Sequence, residues 1–235
     1  MLVKKYMTSD PICLSEEVSV TEASSLMKEK GMRRFPVMRG SELIGIVVDR
    51  DLRSAAPSMV ITLDQQEREL LPELYNLLCN IKIKDIMSKK VMTIVEDDTV
   101  IKAAYIMVKK KISSLPVLNS QGMLVGIITE SDIFGVLLNI SGVTGGRVLM
   151  GFRLGNQPGS IKEVADVIRG HGSRVVSILC SDSSSDDSET RDVYIRIEDI
   201  PEDSMTALKT EAEKKFTLLM AARDNFDLGF DNVSD

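Results

Sequence analysis

The residues best suited to chemistry are Thr129 and Asp132. They lie at the end of the segment Gly126-Ile127-Ile128-Thr129-Glu130-Ser131-Asp132, whose apolar start suggests a buried strand. The hydroxyl of Thr129 precedes the carboxylate of Asp132 by three residues. That spacing fits a capping box, in which both side chains satisfy free N–H groups at a helix N-terminus. It also suits ligand binding, because a helix N-terminus favours anions and a carboxylate accepts hydrogen bonds from ribose hydroxyls. The spacing alone leaves both interpretations open.

This segment ends the second copy of an internal repeat. A shift of 80 residues aligns Pro36 with Pro116, and one more residue of shift after a hairpin aligns Asp51 with Asp132. Each copy has an apolar helical stripe, two strands joined by a turn, and a closing helix. We therefore predict the order strand–helix–strand–strand–helix in each copy. Two such copies should face each other across a pseudo-two-fold cleft that binds a small molecule.

Composition limits the classes of partner. The 235 residues carry a net charge of −6, and the acidic excess lies entirely after residue 140. Nucleic-acid binding needs clustered Lys and Arg, so no nucleic-acid partner is expected. No apolar run approaches the roughly 20 residues of a membrane helix, which predicts a cytoplasmic protein without a membrane partner. Three widely spaced cysteines, Cys13, Cys79 and Cys180, predict buried reduced thiols rather than a zinc or redox site.

The C-terminal region follows a different pattern. A glycine-rich hinge at 141–146 precedes segments in the order βαββαβ, which predicts one sheet with two helices on one face, in the manner of a ferredoxin-like fold. Ser160 is predicted to cap the first of these helices, with Glu163 as its capping-box partner. The whole chain is therefore predicted to be α+β, with a weakly ordered tail at 222–235.

The repeated unit resembles the CBS domain. The resemblance rests on Met-Thr or Met-Ser near each start, the Pro-Val hairpin, and the ending Gly-apolar-apolar-Thr-x-x-Asp. Two copies in register resemble the tandem CBS pair, or Bateman module. The first motif would span 1–62, a helical spacer 63–81 and the second motif 82–140. The resemblance implies a cleft for an adenosine compound (AMP, ADP, ATP or S-adenosylmethionine) that acts as a regulatory ligand, with no cofactor required.

The resemblance implies that only one of two clefts is competent. Nucleotide-binding residues carried over to this sequence are Thr129, Asp132, Ser131, Ile128, Arg33, Arg34, Pro36, Met92 and Thr93. Arg33 and Arg34 would contact phosphate, although a solvated hairpin edge is the other interpretation. The second cleft has Asp51, Ser114 and Lys111. It is predicted to be impaired because Val48 occupies the position of the expected threonine.

The C-terminal region resembles the ACT domain over 147–221. Its ligand turn would consist of Asn156, Gln157, Pro158 and Gly159. Asn156 replaces the usual aspartate of that family and cannot pair with an α-ammonium group as a charge, so weak or absent amino-acid binding is expected. A CBS pair followed by an ACT domain resembles the acetoin-utilisation AcuB-like proteins.

These features predict a non-enzymatic ligand sensor. The sequence shows no Ser/His/Asp set, Walker loop or metal cluster. We predict one adenosine nucleotide per chain, in the cleft of Thr129 and Asp132, with the ACT-like region serving dimerisation or amino-acid sensing. A homodimer and an unidentified regulated protein are the expected partners. The alternative is a ligand-free dimeric scaffold that docks a partner enzyme.

Overall fold

The computed structural model describes residues 1–55, 80–143, 148–182 and 189–224. Contacts divide the chain into two compact units, Met1–Phe134 and Gly135–Asp235. Both units mix helices and strands, as the α+β prediction requires. Most of the predicted helical spacer, the second half of the hinge and the end of the tail lie outside the described residues.

The first unit contains the two copies of the repeat. Its strands are β1 (Thr8–Ser9), β2 (Leu14–Ser15), β3 (Arg34–Arg39), β4 (Glu42–Val48), β5 (Ile94–Val95), β6 (Ser114–Leu118) and β7 (Leu124–Thr129). Its helices, after a 3-10 turn at Val3–Lys5, are α1 (Val20–Glu29), α2 (Asp49–Ala55), α3 (Ile83–Ile86), α4 (Val100–Lys110) and α5 (Glu130–Ile140). The last of these continues into the second unit.

The two copies exchange their leading segments. One sheet has the order β2-β3-β4 and the other has the order β1-β7-β6-β5, so the first strand of the chain joins the sheet of the second copy. Thr8 pairs with Ile127 in that antiparallel contact. In the reverse direction, Ser88 exchanges two backbone hydrogen bonds with Ile46 of β4, at 2.9 and 3.1 Å. The chain's start therefore completes the second copy, and the segment after the spacer completes the first.

The same exchange organises the core. Ile83 and Met87, from the segment after the spacer, are buried in the cluster formed by the first copy's α1, β3 and β4. The Met87 thioether lies against Gly45, and the Met7 sulfur lies 2.5 Å from where a Cβ of Gly126 would stand. Each glycine thus leaves room in a strand for a methionine from the exchanged segment, because interiors are close-packed.

Capping side chains precede helix α1 in the first copy and helix α4 in the second. Ser19 accepts a hydrogen bond from the Glu22 N–H at 3.2 Å, and the Glu22 carboxylate accepts one from the Ser19 N–H at 2.9 Å. Thr99 accepts a hydrogen bond from the Lys102 N–H at 3.1 Å. These bonds satisfy N–H groups that have no partner within the helix.

The second unit has the predicted order βαββαβ. It comprises β8 (Val148–Gly155), α6 (Ser160–Gly170), β9 (Val175–Asp182), β10 (Thr190–Ile197), α7 (Glu202–Lys215) and β11 (Thr217–Arg223). All pairings are antiparallel in the order β11-β8-β10-β9. Alternate residues of β8 and β10 are buried together with apolar residues of α6 and α7, which makes one face of the sheet the core.

Two local predictions are wrong. The residue before α6 is Gly159, with φ of 98°, and Ser160 is the first helical residue, with a buried side chain. Glycine takes the N-cap because the turn requires a left-handed backbone there. Cys13 and Cys180 are exposed free thiols rather than buried ones, and Cys79 lies outside the described residues.

Candidate functional site

Thr129 and Asp132 form a closed hydrogen-bonded cap where β7 meets α5. The Asp132 carboxylate accepts bonds from the Thr129 N–H at 2.7 Å and from the Thr129 hydroxyl at 2.8 Å. The Thr129 hydroxyl oxygen accepts the Asp132 N–H at 3.4 Å. The capping interpretation of this motif therefore describes the observed geometry. One carboxylate oxygen of Asp132 therefore accepts two hydrogen bonds within the motif.

Asp51 occupies the equivalent place where β4 meets α2. Its carboxylate accepts the Val48 N–H at 3.0 Å. The valine side chain offers no hydroxyl, so within the described residues this carboxylate accepts one hydrogen bond where Asp132 accepts two. Asp51 therefore keeps more acceptor capacity for a ligand.

Arg34 links the two copies at the start of β3. Its guanidinium donates to the Ser113 carbonyl and, at 3.1 Å, to the Ser113 hydroxyl. Partial burial lowers the pKa of Arg34 below its ordinary value, while the nearby carboxylates of Glu130 and Asp132 act in the opposite direction. Arg34 is thus a half-buried cation held between the two copies and within the electrostatic reach of Asp132.

A cavity of about 580 Å³ opens between the two copies in the first unit. Its basic lining residues are Arg33, Arg34, Arg50, Lys90 and Lys111, and its acidic ones are Asp49, Asp51 and Glu130. The other lining residues are Ile46, Val48, Ser88, Val91, Met92, Ile112, Ser113, Ser114 and Pro116. This volume lies in the range of small-molecule sites. The combination of cations, a carboxylate with spare acceptor capacity and apolar walls can bind a ligand with phosphate, hydroxyl and planar apolar parts.

The cavity is lined by residues that the sequence analysis had assigned to two different clefts. Arg33, Arg34 and Met92 line it together with Asp51, Lys111 and Ser114 of the cleft predicted to be impaired. Six predicted residues are absent from the described lining: Ile128, Thr129, Ser131, Asp132, Pro36 and Thr93. Met92 was expected beside Thr129. It lies on the Asp51 side because the segment around Ser88 joins the first copy.

Sequence reasoning missed four charged residues of this cavity. The cavity is also lined by Asp49, Arg50, Lys90 and Glu130, none of which was among the predicted site residues. Arg50 and Glu130 were detectable as the residues next to Asp51 and Thr129. Lys90 could be found only after the exchange of leading segments was known.

The predicted ACT turn joins β8 to α6. The Asn156 N–H donates to the Glu189 carbonyl at 2.8 Å, and the Gln157 side chain folds over Gly155. Gly159, after Pro158, adopts the left-handed backbone noted above. The turn has the strand–turn–helix geometry that the sequence indicated.

Two negative findings apply to the described ranges. They contain no group of three or more His, Cys, Asp or Glu side chains arranged to hold a metal ion. None of their helices is long and apolar enough to span a membrane.

Comparison with known proteins identifies the first unit. The family model of the CBS domain matches residues 3–58 and 83–139. The chain therefore contains a tandem pair of CBS domains, as the repeat predicted.

Two curated relatives and one solved structure align with this region. Inosine-5'-monophosphate dehydrogenase of Korarchaeum cryptofilum is 33% identical over 131 residues, which are 56% of this chain and 23% of the dehydrogenase. A CBS domain-containing protein of Dictyostelium discoideum is 28% identical over 141 residues, covering 60% of this chain and 93% of that protein. The CBS domain of a CBS domain-containing membrane protein from Sphaerobacter thermophilus aligns with a TM-score of 0.50 and 23% identity, covering 59% of this chain and 88% of that one. The alignment thus spans less than a quarter of the dehydrogenase.

Proposed function

We propose that this protein is a non-enzymatic sensor that binds an adenosine nucleotide in the cavity of its CBS pair. The observation that carries the proposal is the cavity itself, which brings phosphate-binding cations and the carboxylate of Asp51 together between the two copies. Guanidinium groups such as Arg33 bind phosphate, and a carboxylate with free lone pairs accepts ribose hydroxyls. AMP, ADP, ATP and S-adenosylmethionine are the candidate ligands.

The ribose-facing carboxylate is proposed to be Asp51. The Asp132 carboxylate, which the sequence favoured, is the alternative, and it is already engaged by both groups of Thr129. One bound nucleotide per chain is expected in either case, because the counterparts of Arg33 and Arg34 under the repeat are Ser113 and Ser114.

Calorimetric titration of single variants tests this assignment. Asp51→Ala should lower the affinity for adenosine nucleotides at least about tenfold, because it removes two hydrogen bonds to a charged acceptor. Asp132→Ala should change affinity less than about threefold once its loss of stability is allowed for. The reverse ranking would assign the ligand to the cleft of Thr129, and equal losses with two sites per chain would refute a single site.

A regulatory role requires that binding favours one conformation of the pair over another. The cavity offers Ser, Lys and Asp side chains, but its described lining includes no His or Cys beside a nucleophile. Its groups therefore suit binding rather than bond breaking. The region aligned with the archaeal dehydrogenase is under a quarter of that enzyme, so its activity is not carried over to this chain.

We also propose a homodimer through the helices of the second copy. Tyr105 and Val108 of α4 are 62% and 76% exposed, and Phe134 of α5 is 63% exposed. Their counterparts in the first copy are Ser25, Lys28 and Arg53, so at these described positions the second copy is apolar where the first is polar or charged. Exposed apolar patches mark interfaces. The ACT-like unit would add to the dimer through its sheet and bind amino acids weakly or not at all.

Sedimentation at micromolar concentration tests the dimer. Replacing Tyr105 by Ser and Val108 by Lys, the residues that the first copy carries, should convert the protein to a species of one chain's mass. Ser25→Ala on the polar face of α1 is the matched control and should leave the dimer intact. A wild-type protein with the mass of one chain would contradict the proposal.

The same apolar face supports a second candidate function, a dimeric scaffold that docks a partner enzyme without a ligand. A thermal-shift panel of adenosine compounds separates the two functions, since a ligand that binds the folded state raises its melting temperature. A dimer that no compound in the panel stabilises would favour the scaffold.

A further inference from the structure

The ligand cavity is strongly positive although the chain is acidic. Five cations line it, and none of them forms an ion pair with another described residue. Of the three lining carboxylates, Asp49 is already paired with Arg53. The cavity therefore has an excess of uncompensated positive charge within a chain of net charge −6. A ligand carrying several negative charges would compensate it.

The excess of positive charge lies on one side of the pseudo-symmetric pair. Three cavity cations, Arg50, Lys90 and Lys111, have as their counterparts under the repeat Ser131, Asp10 and Gly31. Those counterpart positions carry one negative charge where the cavity carries three positive ones. Because both copies share their backbone, the repeat itself cannot require cations at these positions.

Lys111 occupies its position against a backbone preference. It has φ of 54° and ψ of 44°, the left-handed conformation, at the end of α4. Gly31 has φ of 62° at the same place after α1, where glycine meets no steric cost. A non-glycine residue is uncommon there, and such strain clusters at ligand sites. The charge that Lys111 brings to the cavity gives a reason for its presence.

We propose that the cavity selects nucleoside di- and triphosphates over monophosphates and rejects the cationic sulfonium of S-adenosylmethionine. Lys111 and Lys90 are the specificity-determining residues, since Arg34 is already engaged by Ser113. Each added phosphate introduces charge beside cations that lack a partner. This inference rests on the proposed function, because it places the nucleotide in this cavity.

Titration of the full chain in EDTA with adenosine, AMP, ADP, ATP, S-adenosylmethionine and inorganic tripolyphosphate tests the ligand class. ATP should bind at least about tenfold more tightly than AMP, with the difference shrinking as salt rises. AMP and ATP of equal affinity, or tighter S-adenosylmethionine, would overturn the charge selection while leaving the adenosine sensor intact. Tripolyphosphate binding without any preference for adenosine would keep the charge selection and refute the adenosine sensor. No binding by any compound would refute both.

Neighbouring lysines supply matched controls. Lys111→Gly should weaken ATP about tenfold and AMP far less, with a melting temperature that is unchanged or raised because glycine relieves the backbone strain. Lys110→Ala removes the same charge next to the cavity and should change either affinity less than about twofold. Lys90→Ala and Lys89→Ala form a second such pair. A lower melting temperature with unchanged ATP affinity for Lys111→Gly would show a structural role and overturn the assignment.

Discussion

The two CBS copies share their cores and differ in their clefts. Phe35 and Leu115 are fully buried at matching positions, and Gly45 and Gly126 receive equivalent methionines. Around the cavity between the two copies, by contrast, matching positions carry different charges and different hydroxyls. Buried positions are limited by volume, because added or missing atoms cost packing energy. Positions that face water tolerate a change of charge, so one duplicated backbone presents two clefts of different chemistry.

The core equivalence predicts the largest effects on stability. Gly126→Ala should lower the free energy of unfolding by about 1–3 kcal/mol, because the new Cβ meets the Met7 sulfur and, at 3.0 Å, the Thr8 carbonyl oxygen. Gly45→Ala should cost less, since only the flexible Met87 side chain is in its way. Urea denaturation measures both. A larger loss for Gly45→Ala would break the packing comparison.

The difference between the helix caps of the two copies predicts an intermediate effect on the free energy of unfolding. Thr129→Val makes the second copy resemble the first and should cost about 1 kcal/mol, because the Asp132 carboxylate and N–H both lose their hydroxyl partner. Val48→Thr makes the opposite change beside Asp51 and should be neutral or stabilising. Chemical denaturation of the two single variants and the double variant checks whether the caps are independent. Destabilisation by both would show that the cap geometries are not equivalent.

The smallest predicted effect on stability concerns the turns that join paired strands, and it depends on pH. Arg39 donates to Glu16 at 2.5 and 2.7 Å and holds the pKa of that carboxyl below its usual range. A carboxyl with a lowered folded-state pKa stabilises the fold above its unfolded pKa, and this is lost as pH falls through the folded value. Arg39→Ala should therefore lower the urea midpoint slightly at pH 7 and by less at about pH 3, where protonation of Glu16 weakens the ion pair.

The matched turn position in the second copy provides the control. Asn119 accepts hydrogen bonds from the N–H groups of Gln121 and Met123, both at 3.0 Å. No titrating group is involved, so the effect of Asn119→Ala on the urea midpoint should be the same at both pH values. A pH-independent effect of Arg39→Ala would contradict the role given to Glu16.

Much of the fold was predictable because its signals are local. The helical stripes, the Pro-Val hairpins and the order βαββαβ all depend on residues near one another in the chain. The cap at α6 was mispredicted, since Ser160 and Glu163 imitate a capping box while Gly159 provides the left-handed turn. The exposed thiols were mispredicted because a cysteine's sequence neighbours do not report its burial.

The sequence by itself determined the duplication, the CBS pair and the presence of both Thr129–Asp132 and Asp51, since repeats and motifs are properties of order along the chain. Only the tertiary structure decided which carboxylate shares a cavity with the cations. The leading segments cross between copies, which brings Lys90 and Met92 to the Asp51 side. The charge of a cleft depends on residues distant in sequence, and a motif of seven residues does not contain them.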